Sequence, residues 1–209
     1  MSESGMTMGA GHGTIMEASP FGIQSKKLAM WLFIASDAVT FGAVLFAYSF
    51  LRIGSPNWTT PFPLWPTIAN GVVMTFVLLT SSLTMLGGVL AAKAGRKSAS
   101  IRWMGFTMLL GVVFAGLHLH EWSNMFGDGW RLFQNPMGGS VEFGAAFFSI
   151  TGLHLLHVVS GIVAIGVVAL GYKSGRLDAN HVETTSLYWH FVDLVWMFVF
   201  PLVYLMNAH

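Results

Sequence analysis

Ionisable side chains inside long apolar stretches are where this sequence can do chemistry, because a charge is expensive in hydrocarbon and is kept there for a reason. Asp37 stands in the run Trp31 to Phe41, ten residues into an apolar stretch that starts at Leu28. A carboxyl at that depth reads either as a proton-exchanging group or as a hydrogen-bonded packing device. His190 and Asp193 are three residues apart in Tyr188 to Trp196. In a helix that spacing puts them on one face, free to pair with each other or with polar groups on a neighbouring helix. Trp189, Asp193 and Trp196 share a face by the same rule. That cluster reads as a lipid-headgroup or subunit contact, or as an internally satisfied group that holds helices together. His154 and His157 repeat the three-residue spacing, and His118, His120 and Glu121 close another apolar stretch.

Imidazoles on membrane helices can ligate haem or a metal. One haem needs axial ligands on opposite sides of its plane, so two helices would have to contribute, as in His118 with His154. No Glu-x-x-His or His-Glu-x-x-His run accompanies these histidines. Interhelical hydrogen bonding is the plainer reading. There is no cysteine, which removes disulfides, thiolate metal sites, iron–sulfur clusters and c-type haem attachment. No phosphate-binding Gly-x-x-x-x-Gly-Lys run is present, and no pair of broken helices marks a transporter.

The elements that must carry these residues follow from composition. Of 209 residues, 54% are hydrophobic and 9% charged, with a net charge of +1. A soluble surface needs about 25% charged residues, so a water-soluble monomer is excluded, as is a nucleic-acid binder. Five stretches are long enough to cross a bilayer, at 28–51, 67–92, 103–122, 143–172 and 184–206, since about 20 residues suffice. The expected fold is all-α, an integral membrane bundle of five transmembrane helices. Lys26, Lys27, Lys93, Arg96, Lys97, Arg102, Lys173 and Arg176 fall on one side, and only Arg52 and Arg131 on the other. The positive-inside rule then puts the N-terminus in the cytoplasm and the C-terminus outside. Residues 1–24 read as a flexible cytoplasmic tail and 25–209 as one membrane domain. The loop 53–66, with Pro56, Pro61, Pro63 and Pro66, reads as stiff and lying on the interface. Pro201 should kink the last turns of the fifth helix. Gly152, Gly161 and Gly166 read as small residues that allow close helix approach.

Several segments together resemble subunit III of the haem-copper oxidases. Tyr188-Trp189-His190-Phe191-Val192-Asp193-Leu194-Val195-Trp196 resembles the last-helix signature of that family, with Glu183 at an acidic position that commonly precedes it. Phe147, Thr151, Gly152, His154, His157 and Val158 resemble its penultimate-helix pattern Phe-x-x-x-Thr-Gly-x-His-x-x-His-Val. Leu32 to Asp37, followed by Phe41 and Phe46-Ala47-Tyr48, resembles the helix that carries a buried carboxylate, and Glu121 matches another recurrent acid. The likeness runs from about residue 25 to 206, in the family's order. The family usually has Glu where this chain has Asp37, one methylene shorter. The chain is similar to the five-helix bacterial form, which lacks two leading helices that elsewhere form one arm of a lipid-filled cleft.

The resemblance implies a non-catalytic accessory subunit of a proton-pumping cytochrome c or quinol oxidase in the bacterial cytoplasmic membrane. Haem and copper would belong to subunit I, and this chain would bind no redox cofactor. It would pack on subunit I, meet subunit II and a small subunit IV, bind phospholipid, and support proton uptake and stability. Membership of a larger respiratory supercomplex is a further expectation. A component of a nitric-oxide reductase complex and a membrane b-type cytochrome are the alternatives.

Overall fold

The computed structural model describes residues 25–58 and 60–207. The expected tail at 1–24 and the last two residues, Ala208 and His209, lie outside the described residues. Five long helices carry the fold: α1 Ser25–Gly54, α2 Ala69–Lys93, α3 Lys97–Gly127, α4 Glu142–Ser174 and α5 Ala179–Val199. Among the described residues there is no strand. All five helical segments are long and apolar enough to cross a membrane. In lipid each backbone N–H and C=O must be satisfied within its own segment, and a helix does this without partners.

The helices outrun the apolar stretches because their ends are polar and lie beyond the hydrocarbon. α3 begins at Lys97, after a tight turn in which Gly95 takes a left-handed φ of 70°. α4 ends at Gly175, also left-handed, with Arg176 N donating back to Gly171 O at 3.0 Å. α5 starts at a capped end: the Asp178 carboxylate accepts from His181 N at 3.3 Å, and the His181 ring donates Nδ1–H to Asp178 Oδ1 at 2.6 Å. Burial pushes the Asp178 carboxyl up, but the hydrogen bonds from His181 outweigh it and hold the group below its ordinary value. At the far end of α5, Pro201 has no N–H to continue the ladder. The chain widens into a π-helical turn, Phe200–Tyr204, and closes with a 3-10 turn, Leu205–Asn207.

α5 is the centre of the bundle and α1 its periphery. In α5, 56% of the apolar stretch is buried, against 11% in α1. α5 packs on α2 and α4, α3 fills the space between those two, and α1 lies across α5 and α4. Lipid tails are as apolar as leucine, so burial of apolar surface does not drive helices together here. Shape fit and interhelical hydrogen bonds do. Both are concentrated on α5. The indole of Trp189 enters a slot between α3 and α4, where a Cβ at Gly111 would stand 2.7 Å from Trp189 Cη2 and one at Gly161 2.9 Å from Cε3. Gly161 therefore accepts a side chain rather than a neighbouring backbone.

The proline-rich loop does not simply lie on the surface. Trp65 is exposed, but Phe62 is fully buried, stacked on Tyr204 at 4.9 Å and packed against Phe143 and Phe147. Trp58 packs edge-on against Tyr48 and Phe143 and donates Nε1–H to Asn207 Oδ1 at 3.3 Å. Prolines fix the loop's course, and that course turns two aromatic side chains inward. Thr60 Oγ1 donates to Asn207 O, and Asn207 Nδ2 donates to Tyr48 Oη at 2.5 Å and to Val203 O. Arg52 donates to Met206 O. Together these pin the end of the α5 segment to the end of α1.

Candidate functional site

The polar groups singled out from the sequence fall into three sets, all on or beside α5. The first joins α1, α4 and α5. His157 Nε2 lies 3.3 Å from Asp37 Oδ2, and both side chains are mostly buried. This is a close approach rather than an aligned hydrogen bond, since Asp37 Oδ2 has no hydrogen-bond partner among the described residues. His157 Nδ1 lies 2.8 Å from Leu153 O. A carbonyl can only accept, so Nδ1 carries a proton. Phe41 covers the pair edge-on at 5.1 Å from the His157 ring. Ser160 Oγ and Tyr188 Oη are bonded at 2.7 Å just beyond it, and Tyr188 Oη reaches His157 O at 3.4 Å.

The second set ties α5 to α2. Ser82 Oγ donates to Asp193 Oδ2 at 2.6 Å and lies 3.0 Å from His190 Nδ1. One hydroxyl has one proton, and it points at Asp193, so His190 Nδ1–H is the donor to Ser82. His190 and Asp193 thus meet through Ser82 rather than directly. One residue earlier, Ser81 Oγ accepts from Trp189 Nε1 at 3.0 Å; a turn and a half further, Thr75 Oγ1 accepts from Trp196 Nε1 at 3.0 Å. The shared face of Trp189, Asp193 and Trp196 is turned wholly into the bundle.

The third set lies between α3, α4 and the π-turn. Tyr204 Oη donates to Glu121 Oε2 at 3.2 Å. His118 and His154 are both fully buried, and their rings have no hydrogen-bond partner among the described residues. His154 stacks on Trp196 at 5.3 Å and meets Phe114 edge-on at 5.7 Å. His118 stacks on Phe114 at 5.9 Å and meets Trp196 edge-on at 5.9 Å. The rings of Phe114 and Trp196 therefore pack against both imidazoles. Among the described residues no three His, Cys, Asp or Glu side chains are grouped to hold a metal ion. His120 is exposed near the end of α3.

At the opposite end of the bundle, Lys27 and Lys93 both reach Glu183, at 2.8 and 3.2 Å, and join α1, α2 and α5. Sequence reading had no means of finding Ser81, Ser82 and Thr75. They are ordinary hydroxyls in a stretch without a charge, and only the packing of α5 shows that they receive its polar groups.

A family model for cytochrome c oxidase subunit III matches residues 9–208. The chain belongs to that family. It is 33% identical over 188 residues to cytochrome c oxidase subunit 3 of Alkalihalophilus pseudofirmus, covering 88% of each chain. It is 34% identical over 184 residues to cytochrome bo(3) ubiquinol oxidase subunit 3 of Pseudomonas aeruginosa, covering 85% of this chain and 83% of that one. With cytochrome c oxidase subunit 3 of Bacillus subtilis it shares 31% over 191 residues, 88% and 87% of the two chains. Subunit III membership and five membrane-crossing helices make this a multi-pass protein of the bacterial cytoplasmic membrane that associates with other oxidase subunits.

Proposed function

We propose that this chain is a non-redox accessory subunit of a proton-pumping haem-copper terminal oxidase, which reduces oxygen to water in aerobic respiration. It packs on the catalytic subunit I, binds phospholipid, and supports proton uptake and the stability of that subunit. Haem and copper belong to the partner. The observation that carries the reading is the subunit III match over residues 9–208. The geometry supports its finer parts. α1 is the least buried helix and presents Trp31, Leu32, Phe46 and Phe50 outward, an apolar flank suited to a neighbouring subunit or to acyl chains. Beneath that flank lies the Asp37–His157 pair. The basic end of the bundle, with Lys27 and Lys93, faces the cytoplasm by the positive-inside rule.

Mild-detergent purification of a tagged chain tests the assignment. Co-purification of a haem-bearing oxidase that consumes oxygen is the expected result. A partner complex that reduces nitric oxide instead, or a haem band retained by the isolated chain, contradicts it. The proton role is tested by Asp37→Asn in the assembled oxidase. Turnover should fall, or the enzyme should inactivate after fewer cycles. Unchanged turnover, pumping and lifetime would leave Asp37 a packing residue.

A further inference from the structure

At the end of the bundle that carries the proline-rich loop, a cavity of about 690 Å³ opens between that loop, the start of α2 and the end of α3. Its wall includes Pro63, Thr67, Asn70, Asn124 and Asp128, and at its base stands Glu121. Asn124, Asp128 and Pro63 are exposed, so the mouth faces outward. Glu121 is 95% buried in effect, at 5% exposure. Its Oε2 accepts from Tyr204, while Oε1 has no donor among the described residues. Among the described residues no Lys or Arg lines the cavity.

A buried carboxyl with an unmet oxygen is costly as an anion unless something hydrates it or hands it a proton. At about 30 Å³ of liquid volume per molecule, the cavity is roomy enough for several waters, and its amide, hydroxyl and carboxylate groups supply the two to four polar partners each water needs. We propose that Glu121 is a proton-exchange site served by water from this cavity. It is separate from the Asp37–His157 pair and opens at the opposite end of the bundle from the Lys27–Glu183–Lys93 cluster. In the exchange, the carboxyl O–H bond breaks and the proton passes to a cavity water, giving carboxylate and hydronium. Tyr204 keeps donating to Oε2 and stabilises the anion. The titratable groups around Glu121 are His118, His120 and Asp128 on or after α3, His154 on α4, and Tyr204 after α5. α2, the turn before it and the proline-rich loop contribute only uncharged residues to the lining, Asn70, Thr67, Pro61, Pro63 and Pro66.

Infrared spectra of the assembled oxidase across a pH series test this, with Glu121→Gln subtracted to isolate the one carboxyl. The expected result is a protonated-carboxyl C=O band that grows as pH falls and shifts promptly in D2O. Tyr204→Phe should change its frequency, because the band then lacks that hydrogen bond. Asn124→Trp, which plugs the mouth from an exposed position, should slow the D2O shift at least tenfold. A band absent at every pH, or one blind to D2O over hours, overturns the proposal, as does exchange unaffected by the plug. Should Glu121→Gln fail to assemble, 13C-glutamate labelling of the wild type with Tyr204→Phe gives the same decision.

Discussion

The slot that receives Trp189 makes a sharp prediction at Gly111. An alanine Cβ there would lie 2.7 Å from Trp189 Cη2 and 3.0 Å from Ile162 Cγ1, where ordinary contact begins at 3.4 Å. The indole cannot retreat toward Gly161, because that glycine's own Cβ position is 2.9 Å from the ring's other edge. It must therefore move along the slot by about 0.7 Å or more, stretching its hydrogen bond to Ser81. Overpacking of this kind costs about 1–3 kcal/mol, and a lost interhelical hydrogen bond in a membrane about 0.6 kcal/mol. Against this, Gly to Ala gains about 0.8–1.0 kcal/mol of helix propensity. Gly111→Ala should then destabilise by about 0.6–2.8 kcal/mol. Gly105→Ala, on the same helix with nothing within 4 Å, has the gain without the clash and should not destabilise. Reversible unfolding in mixed SDS micelles measures both. In a Trp189→Phe background, where the ring that collides is gone, the cost of Gly111→Ala should largely vanish. If Gly111→Ala proves as benign as Gly105→Ala, or costs the same with phenylalanine at 189, then Trp189 does not occupy this slot.

Other outcomes follow from the same contacts. Ser82→Ala strands both His190 Nδ1 and Asp193 Oδ2 and should cost about 1–3 kcal/mol, more than Ser81→Ala, which frees only Trp189 Nε1; equal costs in the unfolding assay would break the shared-hydroxyl picture. Asn207→Ala severs the link to Tyr48 and Trp58, and hydrogen exchange at the Ser49–Gly54 amides should rise about tenfold, equivalent to about 1.4 kcal/mol; protection equal to wild type would mean that α1 is held elsewhere. Asp178→Ala should fray the first turn of α5 at a cost of about 0.5–2 kcal/mol. Because the folded Asp178 carboxyl titrates below its unfolded value of 3.8, the cap contributes fully above about pH 4 and is lost as pH falls further. Amide protection at His181 that stays constant down to about pH 2 would argue against it.

The five helices were legible because each apolar stretch is long and nearly free of charge, which leaves the chain few alternatives in lipid. Pro201 likewise announced a break, and the π-turn Phe200–Tyr204 begins beside it. Asp37, His157, His190 and Asp193 stood out because a charged group in an apolar run is conspicuous. Their partners did not. Whether Asp193 meets His190 directly or through Ser82 depends on how α5 is rotated against α2, and no local pattern records that rotation. The inward turn of Phe62 was hidden for a related reason. Prolines reveal that a loop is stiff, but its direction is set by the aromatic pocket of Phe143, Phe147 and Tyr204 at the far end of the sequence. His118 and His154 suggested ligation by their residue type alone, and their packing against Phe114 and Trp196 could not be read from spacing.

α1 rests almost wholly on α4 and α5, the two helices translated last. During synthesis it must wait in the bilayer while three more helices emerge, and Asp37 waits with it, without the imidazole that later faces it. Insertion of α1 therefore has to tolerate a lone carboxyl in lipid, and completion of the bundle becomes a checkpoint. Until α4 arrives, the first helix has nothing to recognise and is free to be extracted or captured by another polypeptide.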